Sequence, residues 1–404
     1  MTPSAWLDSL QNSGIRPGLT RMRALLRALG NPQHAAPSII VSGTNGKGST
    51  SAMLASILNE AGYRTGLYTS PHLVDIRERW MIGQEGGRPV RPSAEGRTGR
   101  PPSFAMIDPV LLDESIEAMR EAATRVGITP TYFEALTLIA FIAFARAECE
   151  RVVLEVGMGG RLDATNVVRP IAALITPIGF DHMEFLGNTL RAIASEKAGV
   201  IHRGTLVLTT NDDPIALAVI RRRAEKFGNR FIHVTEEHDT PLAGAFQRRN
   251  AALAVRAARE LGIADDAIER GVRNTRWRGR LEHLRVAGKD IWIDGGHNVH
   301  AAACIAPFFD ENVPRPRLLV FGIMSDKDVQ PVSRLLFPLF DRVITTEPYP
   351  PRSVRASDLG GIAIPDPEDA LRAAMDAPEC AIVVTGSLYL AGAAIAFFDK
   401  IARP

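Results

Sequence analysis

Residues 38–54 read SIIVSGTNGKGSTSAML, a short apolar run, a glycine-rich turn and the opening of a helical period. Gly43, Thr44, Asn45, Gly46, Lys47, Gly48 and Ser49 make the turn. Glycines there let backbone N–H groups curl around phosphate oxygens, and the helix that follows adds the partial positive charge of its N-terminus. Lys47 would bridge the β- and γ-phosphates of a nucleotide, and Ser49 would reach magnesium. The full Walker pattern is not met, because Val41 stands where its first glycine belongs and Gly48 separates Lys47 from Ser49. The shorter GxxGKGS form remains. The bland alternative, a glycine-rich turn with an incidental lysine, fits the flanking strand and helix less well.

Outward from the turn, Met53, Leu54, Ile57, Leu58 and Ala61 predict one apolar helical face, and Gly62 predicts its stop. A strand at 65–68 completes a βαβ unit. Further strands are expected at 151–156, 171–178 and 205–209, alternating with helical segments, which is the pattern of a parallel sheet covered by helices. After a helical stretch at 245–261, residues 274–289 are rich in Arg and Gly. A second series then begins, with strands expected at 291–294, 317–321, 342–345 and 381–384. The fold class is therefore α/β, with a phosphate-loop domain over residues 1–280 and a smaller Rossmann-like α/β domain over residues 288–404. Residues 83–103 break the rhythm with Gly, Pro and four arginines (Arg88, Arg91, Arg97, Arg100). They read as a mobile surface insertion.

The 404 residues suit two domains better than one. With 46% hydrophobic and 23% charged residues, the composition is that of a soluble globular chain. Lys and Arg number 47 against 45 Asp and Glu, a net +2, so no broad field for nucleic acid or an anionic membrane is implied. Cys149, Cys304 and Cys380 are odd in number and far apart, which argues for a reducing compartment and for buried apolar roles. The N-terminus has no basic start followed by an apolar stretch, and no apolar run approaches the roughly 20 residues of a membrane span. A cytoplasmic protein, working as a monomer, is expected.

A nucleotide-bound metal takes its ligands from the carboxyl ends of neighbouring strands in such a sheet. Ser70, Glu155 and the pair Asp181-His182 stand there. Each alone reads as well as a structural pair or a loop cap; together, beside a phosphate loop, they point to metal.

These segments follow an order that resembles the folylpolyglutamate synthase and dihydrofolate synthase branch of the Mur-type ligases. The likeness covers residues 19–390 and rests on SGTNGKGST (42–50), GLYTSPHL (66–73), TYFE (131–134), LEVGMGGRLDATN (154–166), DHMEFLG (181–187), SEKAGVI (195–201), WRGRLE (277–282), DGGHNVHA (294–301) and TGSLYL (385–390). The resemblance implies that Gly43 to Ser49 hold ATP and that Asn250, Arg280 and Asp294 touch it. It makes Ser70, Glu155 and His182 the Mg²⁺ ligands. Lys197 matches a lysine that the family carries as a carbamate, whose negative charge could hold a second metal; from its own surroundings it reads as a helix-surface lysine paired with Glu196. His297, followed by Asn298, is implied at the active site with Lys47 and Lys197. Pro130, Thr131, Tyr132, Phe133, Leu162, Asp163 and Ala164 match the pterin-carrying substrate site, where Phe133 can stack on an aromatic ring. Three features depart from the pattern: Ile76-Arg77 replaces Phe-Asn before Glu78-Arg79, residues 83–103 are long, and Gly296 and Val299 replace Ala and Pro.

The implied reaction is ATP-dependent ligation of L-glutamate to dihydropteroate and to reduced folates, through an acyl phosphate. The partners are then small molecules, with no nucleic acid or membrane among them. Two rivals stand beside it: a Mur-type ligase acting on a non-folate carboxylate, and a nucleotide-binding regulator that has lost turnover.

Overall fold

The computed structural model describes residues 2–14, 16–83 and 104–402. The chain forms two compact units, the first from residues 1–70, 77–241 and 249–275, the second from 71–76, 242–248 and 276–404. Among the described residues no helix is long and apolar enough to cross a membrane.

The first unit is built on an eight-stranded sheet: β1 (Ser38–Ser42), β2 (Thr65–Tyr68), β3 (Trp80–Gly83), β4 (Phe104–Met106), β5 (Arg151–Glu155), β6 (Ala172–Ile175), β7 (Leu206–Thr209) and β8 (Phe231–His233). Their order is β4-β3-β2-β5-β1-β6-β7-β8. Strands β2, β5, β1, β6, β7 and β8 pair in parallel, and β3 alone runs the other way, pairing antiparallel with both β2 and β4. β1 is buried along its whole length because helices cover both faces, which suits its β-branched run. From β1 the chain goes to β2 on one side while β6 lies on the other, so the loops after β1, β5 and β6 open at the switch point where such sheets bind ligands.

The helix Lys47–Glu60 differs from the single apolar face its sequence predicts, since Ser51, Asn59 and Glu60 are buried as well. The reason is a second neighbour. Helix Asp265–Asn274 packs on its other side, where Ser56 Oγ donates to Gly271 O at 2.7 Å and Asn274 Nδ2 donates to Glu60 at 2.6 Å.

The second unit carries a six-stranded sheet of β9 (Glu282–Val286), β10 (Lys289–Ile293), β11 (Arg317–Phe321), β12 (Arg342–Thr345), β13 (Ile362–Ala363) and β14 (Ala381–Thr385). The order is β13-β12-β11-β14-β10-β9, parallel except for the hairpin between β9 and β10. One face buries Ile291, Leu318, Val320, Ile382 and Val384 under the helix Leu388–Ala402; the other buries Leu319, Phe321 and Val383 against Ile305 and Phe309 of the helix Val299–Asn312.

Gly83 ends β3, and the rest of the expected insertion, with its four arginines, lies outside the described residues. The cysteines depart from the uniform burial expected of them. Cys149 is buried and its thiol is pushed up to about 12, chiefly by burial. Cys304 is half-buried and Cys380 exposed, the latter at the rim of the second sheet with its Sγ donating to Pro316 O.

Candidate active site

The turn after β1 is fixed from below by neighbours far away in sequence. The Thr44 and Asn45 amides donate to Pro177 O at 3.0 and 3.4 Å, and Thr44 Oγ1 both donates to Gly179 O and accepts from its N–H. Those two amides are thus turned toward the loop after β6, and the helix N-terminus begins at Gly46. Helix geometry supplies no acceptor for first-turn amides, which makes this end a seat for an anion. Gly46 has φ +85°, a conformation that favours glycine, and a Cβ there would come within 2.3 Å of Asn250 Oδ1. Asn250, 204 positions away in sequence (250 − 46), therefore lies directly on the turn. Lys47 Nζ donates to Thr44 O at 2.9 Å, curled over its own loop.

Lys197 ends the helix Leu190–Lys197 and is only 3% exposed. Its Nζ donates to Gly43 O at 2.7 Å, so it lies inside the site, and Glu196 pairs with Arg161 instead. The helix-surface reading of Lys197 is thereby overturned. Burial first, then the charge of Lys47, lower its pKa to about 7, against the opposing pull of Asp181 and Asp163. At neutral pH a lysine so placed is about half neutral amine and half ammonium.

Glu155 closes β5, 6% exposed, and one of its carboxylate oxygens accepts the Ser70 N–H at 3.2 Å. This contact brings together two of the three expected metal ligands. His182 takes a left-handed backbone (φ 51°) just before the helix Met183–Leu186, with its N–H on Asp181 Oδ1 at 2.9 Å and its Nε2 3.9 Å from the same oxygen. Among the described residues no group of three or more His, Cys, Asp and Glu gathers at ligating distance. The expected set, one hydroxyl, one carboxylate and one imidazole, does not require such a group.

Asp163 is buried, and burial raises its pKa although it accepts from Met158 N, Thr165 N and Thr165 Oγ1. These bonds fold the chain back over Leu162, which is exposed, and Ala164, which is buried. Thr131 caps the helix Tyr132–Arg146 in a reciprocal box with Glu134, and Tyr132 N donates to Ser13 Oγ. The Phe133 ring lies over Gly157, where a Cβ would approach it to 2.3 Å, and its centroid is 6.4 Å from that of Tyr68. Pro130 precedes the cap and is buried.

In the second unit, Asp294 follows β10 with its carboxylate accepting Leu281 N and Gly296 N at 2.9 and 2.7 Å. Burial raises its pKa while Arg280 draws it back. Arg280 spreads over Gly295, its Nη1 2.6 Å from where a Cβ would stand. His297 Nδ1 lies 2.8 Å from Gly295 O; a carbonyl only accepts, so Nδ1 carries the hydrogen and Nε2 is the acceptor of the neutral ring. Asn298 caps the helix Val299–Asn312 by accepting from Ala301 N.

The Mur ligase middle domain matches residues 110–254, and the Mur ligase glutamate ligase domain matches residues 279–388. The chain is 33% identical to the dihydrofolate synthase/folylpolyglutamate synthase of Bacillus subtilis, over 95% of its own length and 96% of that protein. It belongs to the dihydrofolate synthase/folylpolyglutamate synthase family. Two solved members of that family superpose on nearly the whole chain. The E. coli FolC structure in complex with DHPP and ADP has a TM-score of 0.86 and 28% identity, covering 99% of this chain and 98% of that one. The Yersinia pestis bifunctional folylpolyglutamate synthase/dihydrofolate synthase complexed with AMPPNP and Mn ion has a TM-score of 0.83 and 28% identity, with coverage of 99% and 98%.

Within this family member the structure adds residues that motif reading passes over. Ser42 Oγ lies 3.2 and 3.3 Å from Gly159 O and Lys197 O, tying β1 to both flanking loops. Asn211 carries the loop after β6, accepting from Ile178 N and donating to Thr176 O. Asn166 Nδ2 donates to Arg161 O and Gly199 O. Ser42 and Asn166 lie inside quoted motifs, yet the partners that give them meaning are mostly tens of residues away.

Proposed function

We propose that this chain joins L-glutamate to dihydropteroate and to reduced folates, consuming ATP and passing through an acyl phosphate. The observation that carries this reading is the convergence, on one end of one sheet, of the Gly46–Lys47 turn, buried Lys197 and the Ser70–Glu155 contact. A carboxylate does not acylate an amine at neutral pH, so it must first gain a leaving group. Lys47 and the first-turn amides would grip the triphosphate and spread the charge of the moving γ-phosphoryl group. A carboxylate oxygen of the substrate takes that group, ADP departs, the glutamate amine attacks the acyl carbon, and phosphate leaves.

Oxygen-rich donors suit magnesium, and Glu155, the Ser70 hydroxyl and His182 supply two oxygens and a nitrogen at adjoining strand tips. Held there, the ion would neutralise charge on the phosphates. Lys197, buried and with its pKa lowered to about 7 so that a neutral amine is available, is chemically fit to take up carbon dioxide; its carbamate would offer a second anionic position. Asp163 and the Phe133 ring over Gly157 would position the pterin-bearing acid, while Asn250, Arg280 and Asp294 would contact the nucleotide. His297, with Nε2 as its accepting nitrogen, would contact the nucleotide or the incoming groups. The expected borders at 280 and 288 shift to 275 and 276, with residues 71–76 and 242–248 joining the second unit, and the two units would act together, in a cytoplasmic monomer.

The deciding experiment is ATP-dependent incorporation of labelled glutamate, with dihydropteroate, tetrahydrofolate and unrelated acids offered in parallel. Incorporation with the pterin acids is expected, with near-complete loss in Lys47→Ala at unchanged circular dichroism. A response confined to a non-pterin acid, or a fully active Lys47→Ala, would overturn the reading.

A further inference from the structure

Of residues 131–134, the first three are expected at the acid site, and Glu134 has no expected contact there. Glu134 is nevertheless buried, and a carboxylate taken out of water needs partners. Its Oε2 accepts the Thr131 N–H at 2.8 Å, which closes the cap of its own helix. The other partner comes from 113 residues away: Arg21 Nη2 donates to Oε1 at 2.9 Å and Arg21 Nε to Oε2 at 3.2 Å. We propose that Arg21 is a positioning residue for the pterin-bearing acid, acting through Glu134 on Thr131 and Phe133. This rests on the proposed function and adds to it a residue, outside the expected contacts, that sets how well the acid is held.

A capping box is local and needs no third residue. Here the guanidinium takes both carboxylate oxygens in a planar fork, which fixes the Glu134 side chain in one position. The same Nη2 also donates to Arg16 O, so the segment before helix Thr20–Ala28 is drawn against the start of helix Tyr132–Arg146. Ser13 Oγ accepts the Tyr132 N–H at 2.9 Å, a second fastening between the two. Helix Thr20–Ala28 is itself firmly seated, with Met22, Leu25 and Leu26 buried. It touches helix Tyr132–Arg146 and the turn Ala164–Val167 alike, and these bear Phe133 and Ala164, both expected around the acid. Arg21 thus stands on an element that joins two parts of the expected acid site.

Phe133 has little room to move. Its ring lies against Gly157, where a Cβ would come within 2.3 Å of it, and Gly157 is two residues beyond Glu155. Without Arg21 the buried Glu134 carboxylate keeps the Thr131 amide but loses the fork, and turning outward to water is its relief. The Thr131 amide then loses its acceptor, and the cap that sets the course of the chain into Phe133 loosens. The nucleotide turn is held separately, from Pro177 and Gly179, so the effect falls on one substrate.

Arg21 is partly exposed, so Arg21→Ala leaves a space that a free guanidinium ion can enter from solvent. In the full chain this variant is expected to raise the KM for dihydropteroate about tenfold, as for loss of one charge-assisted pair, and to move the KM for ATP less than about twofold. Millimolar guanidinium should recover most of the difference and urea at the same concentration should not, a rescue that general loosening of the fold would not show. Glu134→Gln should give a similar rise, with no further rise when it is combined with Arg21→Ala, because both remove the same fork. A dihydropteroate KM unmoved in Arg21→Ala, or both KM values raised alike, overturns the proposal. Where Arg21→Ala does not fold, Arg21→Lys takes its place, since it keeps the charge and loses the fork; a smaller selective rise is expected, and wild-type KM values overturn the role. Binding of dihydropteroate beside a non-hydrolysable ATP analogue, followed by pterin fluorescence, separates this claim from the proposed reaction. A wild type that binds no pterin acid sinks the proposed function and this role with it, whereas equal binding by wild type and Arg21→Ala sinks the role of Arg21 alone.

Discussion

In the proposed reaction, Lys197 is the residue on which protonation and activity would meet. Its pKa near 7 means that acid converts the amine to an ammonium ion, which cannot add carbon dioxide. Glutamate incorporation should therefore fall as pH drops below 7, and added bicarbonate should offset the loss in part; an activity indifferent to bicarbonate at every pH would exclude a carbamate. The same shift has a sign for stability. The folded pKa lies below the value of 10.5 that an ordinary lysine shows, so between about 7 and 10.5 the unfolded chain binds more protons and the group's contribution to stability rises with pH. Lys197→Met should remove that slope from the pH dependence of the urea midpoint. The resemblance implied a special lysine here, but its burial and its lowered pKa could not be read beforehand, because SEKAG shows a lysine on a helix and not what covers it. The glycine turn between β1 and its helix was legible since all its parts are contiguous, whereas the acceptor of Lys197 Nζ, Gly43 O, is 154 residues away.

At the scale of elements, strands with a continuous apolar run were easiest to recognise: β1, β2, β5 and β7, and β10, β11, β12 and β14, lie within two residues of where alternation and β-branching put them. β6 is shorter than expected, Ala172–Ile175, because the chain after it turns away to carry Pro177 and Gly179 over the phosphate loop. β3, β4, β8, β9 and β13 escaped notice. β4 and β8 have three residues each and β13 two, too short for periodicity to register, and β9 is an edge strand bearing Glu, His and Arg. Helix packing was equally hidden. Gly271 is tolerated in the middle of its helix because a Cβ there would meet Ile57 Cα at 2.3 Å. Gly271→Ala should force the helix behind the phosphate turn aside and cost about 1–3 kcal/mol in urea denaturation, with a parallel loss of nucleotide affinity. A variant as stable as wild type would show that the helices can separate freely.

At the scale of the molecule, the second unit is not one stretch of chain. Residues 71–76 belong to it, and Leu73 packs so closely on the helix Leu388–Ala402 that a Cβ on Gly392 would lie 2.0 Å from Leu73 O. Residues 242–248 belong to it too, with Ala243 and Phe246 against its core. A fragment of residues 276–404 lacks both segments and should melt well below the intact chain or aggregate, whereas supplying a peptide of residues 71–76 should recover little without the second segment. Cooperative melting of the bare fragment at the temperature of the whole would contradict this. The backbone passes between the units five times, after residues 70, 76, 241, 248 and 275. Anyone splicing a relative's glutamate-ligase half onto this ATPase half must therefore match several seams at once. A swap made at the obvious seam alone leaves two foreign patches on the grafted piece, one of them starting at the residue after Ser70.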